Sequence, residues 1–160
     1  MANATDEKWV KRFIEQAHTW ASYSKDASTK VGAVLVTESC KIVGQGYNGL
    51  LPGMNDDYTD HYMDIDGVKH KTKDRDFKLA HTIHAEINAF ASKLSVNTNE
   101  KLYLFVSKPM CSECAKHAVL NGVTAVYCAI TDDPTFNQRW NNQAAKAVLY
   151  NNKIDYIEIK

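Results

Sequence analysis

The sequence predicts an α/β protein built on a five-stranded mixed sheet, and three observations carry that expectation. Segments with helical apolar spacing alternate with short β-branched runs in the order α-β-β-α-β-α-β-α-β. The first two strands are separated only by Thr37-Glu38-Ser39-Cys40, which reads as an antiparallel hairpin. The last two strands flank a helix, and a crossover of that length returns the chain in the same direction, so they form a parallel pair.

Each element has its own signal. From Asp6 to Ser22, Trp9, Val10, Phe13, Ile14, Ala17 and Trp20 recur at helical spacing, with Thr5 or Asp6 available as the N-cap. Val31 to Val36 and Lys41 to Tyr47 are the hairpin strands. The polar stretch from Asn48 to about Lys78 contains Pro52-Gly53, Asn55-Asp56-Asp57 and Asp66-Gly67, and it reads as one long loop of the kind that is functional or mobile. His84 to Leu94 reads as a helix, Lys101 to Val106 as a strand, and Cys111 to Asn121 as a helix closed by Gly122 at C′. Thr124 to Ile130 is the fourth strand. Alanine, glutamine and leucine make Phe136 to Asn151 a helix, and Ile154, Tyr156, Ile157 and Ile159 mark the last strand.

With 160 residues, the chain fits one domain over 1–160, and no repeat or linker divides it. Lys and Arg balance Asp and Glu at 19 each, so no global field draws nucleic acid or an anionic membrane. An anionic ligand needs a local cationic pocket. The four cysteines, Cys40, Cys111, Cys114 and Cys128, are too few for a disulfide scaffold, and the only close pair has metal-ligand spacing. The N-terminus lacks an apolar signal core, and no run approaches the roughly 20 apolar residues of a membrane span. A soluble, cytoplasmic protein is the expectation.

Chemistry concentrates in His84-Ala85-Glu86 and in Pro109-Met110-Cys111-Ser112-Glu113-Cys114. One imidazole and a Cys-x-x-Cys pair can hold zinc while leaving its fourth position open. Cys111 and Cys114 stand at a predicted helix start, where unpaired N–H groups favour thiolate. Two thiolates cancel the formal charge of Zn²⁺, so a bound water is less acidic than at a three-histidine site and needs a nearby base. Glu86, two residues from His84, is placed to be that base. It would relay a proton from the attacking water to a ring nitrogen and then to a leaving amine, which is hydrolytic deamination. The competing arrangement is a closed structural zinc with His81 as fourth ligand, which leaves Glu86 without a purpose. His61, His70 and neighbouring aspartates offer a second metal site or simply a hydrated loop. His18, His117, Cys40 and Cys128 read as ordinary side chains.

These motifs, with Ser24-Lys25-Asp26-Ala27-Ser28-Thr29-Lys30-Val31-Gly32-Ala33, Gly46-Tyr47-Asn48-Gly49 and Cys111-Ser112-Glu113-Cys114-Ala115-Lys116, resemble the zinc-dependent cytidine deaminase superfamily and, within it, the deoxycytidylate deaminases. The resemblance covers nearly the whole chain. It implies a three-layer α-β-α fold with helices on both faces of the sheet. It also implies His84, Cys111 and Cys114 as zinc ligands, Glu86 as proton shuttle, Asn48 as a sugar-hydroxyl contact, and the backbone around Ala85 and Ser107 beside the base. Deoxycytidylate (dCMP) becomes the implied substrate and deoxyuridylate (dUMP), a precursor for thymidylate synthesis, the product. A homo-oligomer, usually a hexamer, is implied too, with activation by deoxycytidine triphosphate (dCTP) and inhibition by thymidine triphosphate (dTTP) with Mg²⁺ near the long loop.

Three departures stand out. Met110 occupies the position before the first cysteine where relatives carry proline. Tyr23 stands where arginine is frequent, and Leu50-Leu51-Pro52-Gly53 lacks a basic residue found in some members. Lys25, in the matching segment, is the first candidate for the phosphate end, with Lys108 and Arg139 beside it, and Ser24 of the same segment is a further substrate-binding candidate. Two other functions compete: a tRNA or single-stranded DNA deaminase of the same superfamily, which needs a basic groove and stacking aromatics, and a zinc-stapled nucleotide-binding module without catalysis.

Overall fold

A computed structural model describes residues 2–58, 60–94, 99–131 and 142–160. Its central sheet has the strand order β2-β1-β7-β8-β9, formed by Ile42–Tyr47, Gly32–Thr37, Leu102–Val106, Val123–Ala129 and Asp155–Ile159. The hairpin pair β1 and β2 is antiparallel, as is β1 with β7, while β7, β8 and β9 run parallel. The mixed sheet and its parallel last pair follow the sequence pattern, and the parallel run extends one strand further.

Alternation along the strands divides the core in two. Val34, Val36, Tyr103, Phe105 and Tyr127 face α1 (Glu7–Ala21), whose Val10, Phe13, Ile14 and Ala17 cover them. Ala33, Leu35, Leu104, Val106 and Val126 face the opposite layer, formed by α3 (Ala85–Ala91), α4 (Ser112–Leu120) and α5 (Gln143–Asn151). Helices on both faces make the three-layer α-β-α arrangement. Close approach of these layers depends on glycine. A Cβ on Gly32 would sit 1.9 Å from the Ala17 carbonyl oxygen on one face, and one on Gly44 would sit 2.3 Å from that of Ala89 on the other. Among the described residues, no helix is long and apolar enough to cross a membrane.

The stretch from Asn48 to Lys78 is not one long loop. β3 (Gly49–Leu50) pairs with β6 (Thr82–Ile83), β4 (His61–Met63) forms a hairpin with β5 (Lys69–Lys71), and α2 (Arg75–His81) follows. Phe77 is buried and stacks with Tyr62, His70 and His81. Polar-edged rings replace an aliphatic stripe here, which is why the segment lacks an apolar period. α3 also ends earlier than Leu94. The Leu94 N–H donates to the Val43 carbonyl, and the Ser92 hydroxyl donates to the Gln45 and Ala89 carbonyls, drawing the chain onto β2. The predicted helix from Phe136 is described only from Gln143, because residues 132–141 lie outside the described set.

Candidate active site

Three chain turns meet at one end of the sheet. β7 ends at Val106, and Ser107 is tied to the start of β1 twice: its N–H donates to the Gly32 carbonyl at 2.9 Å, and its Oγ accepts from the Gly32 N–H at 2.9 Å. Four residues later Cys111 caps α4. The β3–β6 ladder pairs Gly49 with Ile83, bringing Asn48 beside His84, the N-cap of α3.

His84 Nδ1 lies 3.3 Å from Cys114 Sγ and 3.4 Å from Cys111 Sγ. Tetrahedral zinc with ordinary Zn–N and Zn–S bonds separates such atoms by about 3.5 Å, so this donor set fits the ion in spacing and in softness. Among the described residues, it is the only group of three or more His, Cys, Asp or Glu side chains gathered for a metal. His81 is not in it: its Nδ1 lies 2.8 Å from the Phe77 carbonyl oxygen, one helical turn back, and its ring stacks on Phe77 with centroids 3.9 Å apart. The closed structural site therefore lacks its fourth ligand. His70 pairs with Asp64 alone, at 3.3 Å, and His61 joins no cluster among the described residues.

Glu86 is 4% exposed, and Cys114 Sγ donates to its Oε2 at 3.5 Å. Burial raises the carboxyl above the usual carboxylate range, against the opposing pull of its backbone N–H and the His84 ring. The Cys111 thiol is pushed down to about 4, first by the Cys114 hydrogen bond and then, against burial, by His84. Cys114 moves up, because its proton serves Cys111 and because it is buried. His84 rises through its hydrogen bond to Cys111. The three groups thus share protons that a cation would displace.

A cavity of about 610 Å³ opens onto this cluster, within the range of small-molecule sites. Glu86, His84, Cys111, Ala85 and Asn48 line it. Asn48 is 6% exposed and held at both ends: Oδ1 accepts from the Val31 N–H and Nδ2 donates to the Thr29 carbonyl, each at 2.8 Å. One amide hydrogen and one lone pair remain for a ligand. Ser107 stays behind the wall, as does Ser24, whose hydroxyl donates to the Asn48 carbonyl at 2.8 Å. Ser24 acts on the cavity through Asn48 and through Asp26, whose N–H donates to its Oγ at 3.3 Å. Lys25 is exposed, pairs with Asp56 at 3.0 Å and does not line the cavity, nor does Lys108; Arg139 lies outside the described residues.

Among the described residues, the cations that do line it are Lys73, Arg75 and Lys78. None was singled out from sequence, although the density of Lys69, Lys71, Lys73, Arg75 and Lys78 was the available signal. Met110 is 1% exposed and packs in the core, while Pro109 takes the wall position.

A mixed sheet between helix layers, a His-Cys-Cys cluster at two helix starts and a buried carboxyl beside it define a zinc-type deaminase centre. The family model for the cytidine and deoxycytidylate deaminase zinc-binding region matches residues 7–130, and the chain belongs to that family. An uncharacterized deaminase in the luxG 3′ region of Aliivibrio fischeri is 34% identical over 137 residues, covering 85% of this chain and 82% of the relative. The deoxycytidylate deaminase of Mus musculus is 34% identical over 119 residues, which span 74% of this chain but 63% of that protein. The crystal structure of the dCMP deaminase from cyanophage S-TIM5, in complex with dCMP and dUMP, superposes with a TM-score of 0.69 at 19% identity, over 97% of this chain and 99% of that one.

Proposed function

We propose that this protein is a zinc-dependent enzyme that hydrolyses deoxycytidylate to deoxyuridylate and ammonia, its site carried by one catalytic domain. The observation that carries the reading is the buried Glu86 carboxyl within contact of a three-donor His-Cys-Cys cluster, with Glu86, His84 and Cys111 lining the cavity. The deoxycytidylate deaminase relatives and the dCMP-bound structural neighbour support the choice of substrate.

His84, Cys111 and Cys114 would hold the ion. When bound, zinc supplies Lewis acidity and lowers the pKa of a water. Glu86 takes a proton from the attacking water and delivers it to the ring nitrogen next to the amine-bearing carbon; it then transfers the water's second proton to the departing amine, so that ammonia leaves and a ring carbonyl remains. Burial suits Glu86 to this work, because a carboxyl raised above its ordinary range holds a proton more readily near neutrality. Asn48 orients the sugar with the hydrogen and lone pair its backbone contacts leave over. The cavity wall around Ala85 encloses the base.

The test is ammonia release from cytidine, the cytidine and deoxycytidine nucleotides, and a short single-stranded oligonucleotide. Turnover of deoxycytidylate without turnover of the oligonucleotide is expected, and activity on the oligonucleotide alone would overturn the reading. Repeating the panel with dCTP, and with dTTP plus magnesium, tests the effector response that the family resemblance implies, and light scattering tests the hexamer.

A further inference from the structure

Among the described residues, four buried side-chain polar atoms have no hydrogen-bond partner, and three of them are hydroxyls of the segment that walls the active-site cavity: Tyr58 Oη, Thr72 Oγ1 and Thr82 Oγ1. The fourth, Trp9 Nε1, lies on α1. Tyr58 and Thr82 line the cavity, and Thr72 does not. A buried hydroxyl that pairs with nothing has given up water without replacement, which costs folding free energy. Two such groups on one cavity wall point to a partner that arrives with the ligand.

Tyr58 carries a second cost. Its φ of +62° lies in the left-handed region, which a bulky residue rarely adopts. Burial, with Asp26 and Asp56 nearby, raises the phenol above its ordinary range, so the group keeps its proton and can donate. Thr82 stands two residues before His84, in the β3–β6 ladder that joins the two ends of the wall segment. Between those ends the segment has its own core, the ring stack around Phe77, and its ties to the rest of the fold include Lys78 with Asp26 and Lys25 with Asp56. It can therefore shift on the ladder as a unit while its interior stays packed.

We propose that the Tyr58 and Thr82 hydroxyls are ligand contacts that form their hydrogen bonds only when the cavity is filled, pairing with the uncharged base and sugar of the bound pyrimidine nucleotide as the wall segment draws in. The inference rests on the proposed pyrimidine deamination. A hydroxyl both donates and accepts, so it matches carbonyl, ring-nitrogen and sugar-hydroxyl groups alike. The free protein gives up no bond of its own to make either contact.

Zinc-loaded wild type, Tyr58→Phe, Thr82→Val and Thr72→Val are compared by thermal unfolding without ligand and by calorimetric titration with dUMP, with deoxyuridine measured in competition. Thr72→Val is the control, since it removes an equally unpaired hydroxyl from the same segment away from the cavity. All three variants should melt at or above the wild-type temperature. Tyr58→Phe and Thr82→Val should each bind dUMP about five- to tenfold more weakly and deoxyuridine weaker by the same factor, whereas Thr72→Val should bind as the wild type does. A lower melting temperature for Tyr58→Phe or Thr82→Val, undiminished dUMP affinity in either, equal weakening by Thr72→Val, or a loss confined to dUMP overturns the proposal. Absence of ammonia release from dCMP by the wild type would refute the deaminase reading alone, because the contacts are read from binding. A wild type that binds neither ligand overturns both.

Discussion

Glu86 is a carboxyl group at 4% exposure that lines the cavity and, among the described residues, accepts from its own backbone N–H and the Cys114 sulfur. Burying an acid costs folding free energy, and a purely structural role would be met at lower cost by glutamine. Retention of the acid fits a group that must exchange protons. Glu86→Gln keeps the shape and removes that exchange, so kcat should fall by about 10²–10⁴-fold, the usual range for general acid–base catalysis. Metal analysis of the same preparation should still find one zinc per chain. Undiminished turnover by the variant would remove Glu86 from the mechanism.

At the scale of elements, the cavity wall depends on how the segment before β1 is fastened to α2. Asp26 accepts from the Ser28 and Thr29 N–H groups at 2.9 and 3.0 Å and from Lys78 at 2.7 Å. Burial raises its pKa, but the Lys78 hydrogen bond and the two backbone donors outweigh burial and hold it below the ordinary 3.8. A depressed folded-state pKa means that the unfolded chain takes up the proton first. This stabilisation is therefore complete above about pH 3.8 and is lost as the pH falls through the lower folded value. Asp26→Asn should lower the unfolding free energy at pH 7 by about 1–3 kcal/mol, because it leaves the part-buried Lys78 ammonium without its counter-charge. Urea titrations from pH 7 downward check this: the gap between variant and wild type should narrow as the pH falls through the lowered folded value of Asp26.

For the whole molecule, the donor cluster joins α3 to α4, elements that reach the site from opposite sides of β7 in the chain. A metal held there binds the folded chain and not the unfolded one. At a free concentration a thousandfold above its dissociation constant it adds about 4 kcal/mol. With roughly 2–4 °C per kcal/mol for a chain of this size, stripping zinc with a chelator should lower the melting temperature by about 8 °C or more, and added zinc should restore it. Calorimetric scans of stripped and reloaded protein make the comparison, and an unchanged melting temperature would count against a metal at this cluster.

Local pattern determined the central sheet, the hairpin, the helix starts at His84 and Cys111, and the Cys-x-x-Cys pair. Alternation, turn length and Cys-x-x-Cys spacing each act over a few residues, so they are written in the sequence. The hairpin β4–β5 and helix α2 were not legible, because Tyr62, His70, Phe77 and His81 build their small core by stacking rings rather than by an aliphatic period. Only the tertiary structure decided which cations face the ligand. Lys25 sits in the segment that resembles the family yet turns outward to Asp56, while Lys73 and Arg75, from an unremarkable polar run, line the cavity. Ser24 likewise proved to support Asn48 from behind the wall rather than face the cavity itself. A Cys-x-x-Cys pair within one helix turn follows from spacing. Which cationic run lines the cavity follows only from where the chain packs, as Lys78 does against Asp26, 52 residues away, because long-range placement leaves no periodic trace in the residues it brings together.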